Sequence, residues 1–258
     1  GTPSIIGTGI FGVDNGTIFD VAVPVVMSSG LTLNLVPGGV INNAQNLTIP
    51  DTFNVTGGTL NGIGTFTTPS TSTTTYTGGG GLITNIAWDN GGIFNFNSTS
   101  NSMVITGVNF TNSGTMNLNH VSNFADIVGT GTLVNIGALN AQTANETGIG
   151  TLFDNGGVFT LSGGLVNLQS DAINGGLINI GSTSTLAMNG NIIMSLIAGS
   201  DFTGSLGNFE IQSGETLDVT VPQILPAGMT LSLLGGGFIN NAQNLTIPDT
   251  FNVTGGTL

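Results

Sequence analysis

Glu210, Glu215 and Asp218 fall within nine positions of one another. Carboxylates at such spacing are the machinery of glycoside hydrolysis, where one acid protonates the leaving oxygen and a second acts as base or nucleophile. The chain tests this candidate itself, because residues 199–258 are a second copy of residues 1–60. The aligned positions in the first copy are Gly12, Thr17 and Asp20, so a single acid is shared. β-Elimination enzymes on a β-helix generally rely on Arg or Lys, and neither occurs here. The three acids are therefore expected to face outward and stay solvated. A carbohydrate-active β-helix is the weakest of the functional readings.

The other chemical candidates thin out in the same way. Gly7-Thr-Gly-Ile-Phe-Gly12 satisfies the dinucleotide-binding spacing, which needs its glycines for backbone approach to a pyrophosphate. Its second copy reads Ser205-Leu-Gly-Asn-Phe-Glu210 and loses two of the three glycines. His120 is the single histidine, Asp126 is the nearest acid, and there is no cysteine, so a transition-metal site lacks partners. His120 is expected as a polar outward or corner residue. No G-x-S-x-G elbow and no GGxGxDx calcium-roll repeat occurs. No catalytic, cofactor-binding or metal-binding residue is assigned, and no cofactor is expected.

Charge narrows the partners. The chain has 13 Asp and Glu, no Lys or Arg, and a formal net charge of −13. Phosphate contacts need cationic side chains, which excludes nucleic acid, and anionic membrane surfaces are repelled. Divalent cations shared between chains are one way to neutralise the carboxylates, although these are scattered rather than clustered. No site for a trypsin-like protease exists. The absence of cysteine removes disulfides and thiol chemistry together. No apolar run reaches the roughly 18 residues of a membrane helix, the longest candidate being the short NIIMSLIAG from Asn191. The opening at Gly1, without initiator Met or signal peptide, is expected of a processed product or a window on a longer protein.

The elements follow from repetition. Ile41 to Leu60 reads INNAQNLTIPDTFNVTGGTL, and Ile239 to Leu258 reads the same, an offset of 198 (239 − 41). Residues 1–198 are then one full unit and 199–258 the start of a second. Within the unit a corner word recurs: VDNGTIF from Val13, WDNGGIF from Trp88 and FDNGGVF from Phe153. Each is a turn signal feeding a strand. Triplets of the form apolar-x-apolar start at Phe94, Met116, Val134, Phe159 and Ile178, a mean spacing of about 21 residues. Strand side chains alternate, so two of every three point inward and the middle residue outward. Leu118 and Ile136 are expected inside, with rows of Asn and Thr outside. A single coil cannot bury its inner face, and stacked neighbours supply the core.

The predicted fold is all-β, a parallel β-helix (β-solenoid) with coils of about 21 residues and about nine coils per 198-residue unit. Thr67 to Gly81 (TTPSTSTTTYTGGGG) is of low complexity and is expected to protrude as a loop. The favoured reading is a solvated spacer; loops are where a solenoid places binding, so Tyr76 and the vicinity of Trp88 are where a partner-specific surface would lie if the chain has one. Acceptor sequences for N-glycosylation begin at Asn15, Asn46, Asn54, Asn97, Asn109, Asn145, Asn244 and Asn252.

The words NFTNSGTMNL (Asn109 to Leu118), DNGGVFTLSGGLVNL (Asp154 to Leu168) and NGGLINI (Asn174 to Ile180) resemble repeats of bacterial parallel β-helix exoproteins, filamentous-haemagglutinin-like proteins and autotransporter passengers. The resemblance covers most of the chain at the level of architecture. It implies secretion, a long rod, and a role in adhesion or matrix at or outside the cell surface. The near-verbatim long unit and the missing Lys and Arg favour a fibre, filament or sheath that associates with itself, rather than an enzyme. The alternative is the stalk of a cell-surface adhesin whose binding tip lies outside this segment.

Overall fold

The computed structural model describes residues 3–119, 126–204 and 207–258, with the side chains of 143–145 also left aside. The described residues contain strands and turns and no helix. The chain is an all-β parallel β-solenoid with two compact units, residues 1–133 and 134–258.

In the first unit the described coils stack along three ladders, in which each strand segment adds in parallel to its counterpart one coil away, and Gly58–Thr68 and Leu82–Asn90 each run through two of the ladders. One ladder runs through Gly9–Val13, Leu31–Leu35, Thr52–Val55, Thr73–Tyr76, Ile93–Phe96 and Thr115–Leu118. Its inward column is Phe11, Leu33, Phe53, Thr74, Phe94 and Met116, stepping 20 to 22 residues per coil. A second column is Phe19, Ile41, Leu60, Thr84 and Ile105. A third is Leu47, Phe66, Trp88 and Phe110. The expected period of about 21 residues is thus the offset that brings like side chains into register. Aromatic rings fill the middle of this unit. Trp88 lies 4.9 Å from Phe66, 5.0 Å from Phe110 and 5.4 Å from Phe94 by ring centroids, all fully buried. Such tilted and edge-on pairs add to the burial of large apolar areas.

The second unit repeats the arrangement. Leu139, Phe159, Ile178 and Phe202 form one column, and Val166, Leu186, Phe209, Leu231 and Phe251 another. Phe153, Ala172, Met194, Leu217 and Ile239 form the third. Every register is parallel.

The corner word owes its second glycine to this stacking. A Cβ on Gly157 would run into the Gly137 carbonyl oxygen of the coil beneath, and one on Gly176 into the Gly157 carbonyl. Coils about 4.8 Å apart leave no room for a side chain at Gly157 or Gly176, whereas Thr17 and Glu215, which hold the same place in their own corners, follow the positive-φ glycines Gly16 and Gly214.

Two expectations are corrected. Ile136 is 58% exposed, while Leu133 and Asn135 are fully buried, so the word at 134 has the opposite parity to the one assigned. The inward apolar pair of that coil is Leu139 and Ala141. The stretch 67–81 does not protrude throughout: Thr73–Tyr76 is an internal strand, paired with Thr52–Val55 on one side and Ile93–Phe96 on the other. Thr74 takes an inward place that an apolar residue holds in neighbouring coils, which disguises the strand in the sequence.

Candidate functional site

The carboxylates are placed by the coils rather than by a cleft. Asp20 follows inward Phe19 on the strand Ile18–Val21 and so faces outward, accepting from Asn42 Nδ2 at 2.7 Å. Asp218 holds the same position in the second copy and accepts from Asn240 Nδ2, also at 2.7 Å. Asp51 Oδ2 accepts from the Gly30 N–H at 2.7 Å, and Asp249 Oδ2 from the Gly228 N–H at 3.0 Å. Each bond spans one coil. The acids that both copies keep are therefore coil-to-coil ties. Asn42 Oδ1 continues the first tie by accepting from Asn61 Nδ2 at 3.3 Å.

Glu210 and Glu215, which the first copy lacks, do different things. Glu210 is half-buried and accepts from Asn208 Nδ2 at 2.5 Å on its own strand. Glu215 is not the solvated outward acid expected of it: it is 1% exposed. Its Oε1 accepts from the Gly190 and Asn191 N–H groups at 2.8 and 3.1 Å. Those successive donors form a concave corner, with φ of 127° and 59°, that suits an anion. Thr17, its counterpart, donates from Oγ1 to the Asp14 carbonyl of its own turn and is exposed. Glu210, Glu215 and Asp218 thus have separate partners, on separate strands and a corner, and share none. Among the described residues no group of three or more His, Cys, Asp or Glu side chains gathers to hold a metal ion.

Gly7 to Gly12 runs through the strand Gly9–Val13 to a turn and a further strand at Ile18, so no helix N-terminus faces it as phosphate binding requires. His120 lies outside the described residues, and Asp126 opens the strand Asp126–Asn135. Of the glycosylation acceptors, Asn15, Asn46, Asn54, Asn109, Asn244 and Asn252 are exposed and Asn97 is half-buried. Asn145 is among the side chains left aside. A surface depression of about 250 Å³ is lined by Asp20, Val21, Ala22, Asn42 and Ala44. It falls below the usual size of a ligand pocket, about 300–1,000 Å³, and its one carboxylate is engaged by Asn42.

Tyr76 and Trp88 are core residues rather than a binding surface. Tyr76 is fully buried, and its hydroxyl donates toward the Gly80 and Ser102 carbonyls at 2.8 and 3.2 Å. Desolvation pushes its pKa up to about 12. Trp88 Nε1 donates to Thr68 Oγ1 at 3.1 Å.

That bond opens onto a feature the residue-by-residue reading missed. Thr68 Oγ1 donates to Asn90 Oδ1 at 3.0 Å, and Asn90 Nδ2 donates to Asn112 Oδ1 at 2.8 Å, all fully buried. In the second unit Asn135 Nδ2 donates to Asn155 Oδ1, and Asn155 Nδ2 to Asn174 Oδ1, both at 2.7 Å. These asparagines sit just before the corner glycines. Their parity with Trp88 and Phe153, two residues earlier, is the signal that points them inward. Outside, a separate row joins Asn54 to Asn34 at 3.1 Å and Asn117 to Asn95 at 2.9 Å, as expected of the middle triplet positions. The arrangement is built to fix one coil to the next. No protein-family model, no curated protein and no solved structure matches the chain.

Proposed function

We propose that this β-solenoid repeat protein is structural material, stacking end to end into an extracellular fibre, filament or sheath, and that it does no catalysis. The observation that carries this reading is what the two copies of the repeat keep. Phe11, Leu33 and Phe53 stack in one copy as Phe209, Leu231 and Phe251 do in the other. The ties Asp20–Asn42 and Asp51–Gly30 recur as Asp218–Asn240 and Asp249–Gly228. The residues that differ, Glu210 and Glu215 against Gly12 and Thr17, are those a reaction would have needed. Selection for stacking accounts for that pattern; selection for a reaction does not.

The composition supports the same reading. Without Lys or Arg, association rests on backbone edges and uncharged side chains, and trypsin-like proteases find no site, which suits material left outside a cell. The partner is the protein itself, with divalent cations as counter-ions and no nucleic acid. Negative-stain microscopy and small-angle scattering over a concentration series test this. Linear particles longer than one chain are expected, and dispersed single chains at every concentration would refute it.

A further inference from the structure

Six asparagines are followed directly by glycine: Asn15, Asn61, Asn90, Asn155, Asn174 and Asn189. In such a pair the glycine nitrogen can attack the asparagine Cγ, because no Cβ stands in the way. The fold treats the six differently. Asn90, Asn155 and Asn174 are buried, and their Nδ2 groups donate to Asn112 Oδ1, Asn174 Oδ1 and the Gly176 carbonyl at 2.8, 2.7 and 3.1 Å. Asn61 is exposed, but its Nδ2 is tied to Asn42 Oδ1. Asn15 and Asn189 are exposed at corners, and neither side chain has a hydrogen-bond partner among the described residues.

What separates these last two is the acceptor that the next N–H faces. Gly16 N–H donates to the Gly38 carbonyl at 3.1 Å, and the N–H groups of Gly91, Gly156 and Gly175 also go to carbonyls. Gly190 N–H instead donates to Glu215 Oε1 at 2.8 Å. That is within the reach required of a general base, and the proton in question is the one the attacking nitrogen must shed. Glu215 Oε2 is buried and has no partner, and the chain has no Lys or Arg to neutralise the group.

We propose that Asn189–Gly190 is a self-modifying site with Glu215 as its built-in base. Oε1 takes the Gly190 amide proton as that nitrogen bonds to Asn189 Cγ. The tetrahedral centre then breaks its bond to Nδ2, which leaves as ammonia with the proton that Glu215 hands back. The product is a five-membered succinimide, and Glu215 is again a carboxylate. Water opens the ring at either carbonyl, leaving aspartate or isoaspartate at position 189. In sum an amide and a water become a carboxylic acid and ammonia, with nothing oxidised or reduced. Each chain reacts once, so the change is an ageing mark and not turnover. It adds a negative charge to the corner, and the isoaspartate form adds a methylene to the main chain just before the Gly190 and Asn191 N–H groups that hold Glu215.

The test is timed incubation of the intact protein at neutral pH, folded and in denaturant, followed by peptide mapping. A glutamate-specific protease cutting after Glu146 and Glu210 releases Asn189 on one peptide with Asn155 and Asn174. Tandem mass spectrometry then scores each site, with isoaspartate counted separately. In the folded protein Asn189 is expected to convert on the order of a hundredfold faster than Asn15, the usual lower gain from a positioned base. Asn155 and Asn174 should stay intact. Folding ordinarily slows this reaction, so Asn189 should also be the one site that converts faster folded than unfolded. Glu215→Gln keeps an oxygen for both N–H groups and removes the base, so it should bring Asn189 down to the rate of Asn15. Continued protection of Asn155 shows that this variant is folded, and the folded-to-unfolded comparison in the natural chain stands without it. An Asn189 that converts more slowly folded than unfolded would overturn the proposal, as would an unchanged rate in folded Glu215→Gln.

Discussion

Asn155 receives a hydrogen bond from Asn135 Nδ2 and gives one to Asn174 Oδ1, both 2.7 Å long and all three side chains buried. A buried amide is costly unless satisfied, and three in a row are cheap only because each coil supplies the partner for the next. The ladder sits one side chain away from the apolar columns, so it fixes axial register where hydrophobic contact alone tolerates sliding. In the next coil after Asn174 the position is held by Leu196, where the ladder stops.

Asn155→Ala removes one acceptor and one donor from buried neighbours. Each orphaned group costs about 1–3 kcal/mol, so a loss of roughly 2–6 kcal/mol is expected, measured by chemical denaturation. Outward Asn179→Ala, on the strand Leu177–Ile180, should change stability by less than about 0.5 kcal/mol. Equal effects would remove the special role given to the buried row.

The glycine column makes an independent prediction. Gly157→Ala drives a methyl group into the Gly137 carbonyl beneath it, and only separation of the two coils relieves the clash. Overpacking of this kind costs about 1–3 kcal/mol, and a lowered melting temperature is expected. Gly235→Ala, with nothing within 4 Å of the added atom, is the matched control and should be close to neutral.

Most of the architecture was legible because period and parity are read from the same letters. Phe94-Asn-Phe96, Met116-Asn-Leu118 and Ile178-Asn-Ile180 bury their flanking residues and expose or half-expose the asparagine, as alternation dictates. Val134-Asn-Ile136 has the same letters and the opposite parity, because it lies at a corner like Trp88-Asp-Asn90 and Phe153-Asp-Asn155, whose asparagines are buried, and unlike Val13-Asp-Asn15, whose asparagine is exposed. An asparagine flanked by apolar residues is ambiguous until its distance to the corner glycine is counted. Tyr76 was hidden by its setting, since a threonine run with four glycines reads as a loop although Thr74 fills a core position. Glu215 was hidden for a different reason. Which corner leaves two amide groups pointing at one spot is a property of backbone φ, which composition does not encode.

Parity also yields a paired substitution. Leu118→Asp places a carboxylate in a fully buried position among apolar neighbours, with no basic side chain anywhere in the chain to meet it. A loss of about 4 kcal/mol or more is expected, enough to unfold a marginal domain. Ile136→Asp, at 58% exposure, should be tolerated within about 0.5 kcal/mol. Far-UV spectra and melting curves decide it. An unchanged Leu118→Asp protein would refute the inward placement.

Tyr76 offers the most direct reading of the 67–81 segment, because it is the only tyrosine in the chain and its ionisation can be followed by absorbance. Burial disfavours the phenolate, so the folded-state pKa lies at about 12 against an ordinary value of 10.0. A group whose folded pKa is raised above its unfolded value contributes its full share of stability below the unfolded pKa and loses it as pH climbs through the folded one. The window is therefore from about 10 to about 12, and thermal stability is expected to fall across it as the unfolded chain releases a proton that the folded chain retains. Tyr76→Phe keeps the ring between its neighbours and removes the titration, so its melting temperature should lose this part of the alkaline decline. It should also be lower near neutral pH, because the hydroxyl no longer donates toward the Gly80 and Ser102 carbonyls. A spectrophotometric midpoint near 10 in the folded protein would mean that the ring is in water, and the strand Thr73–Tyr76 would have to be withdrawn from the core.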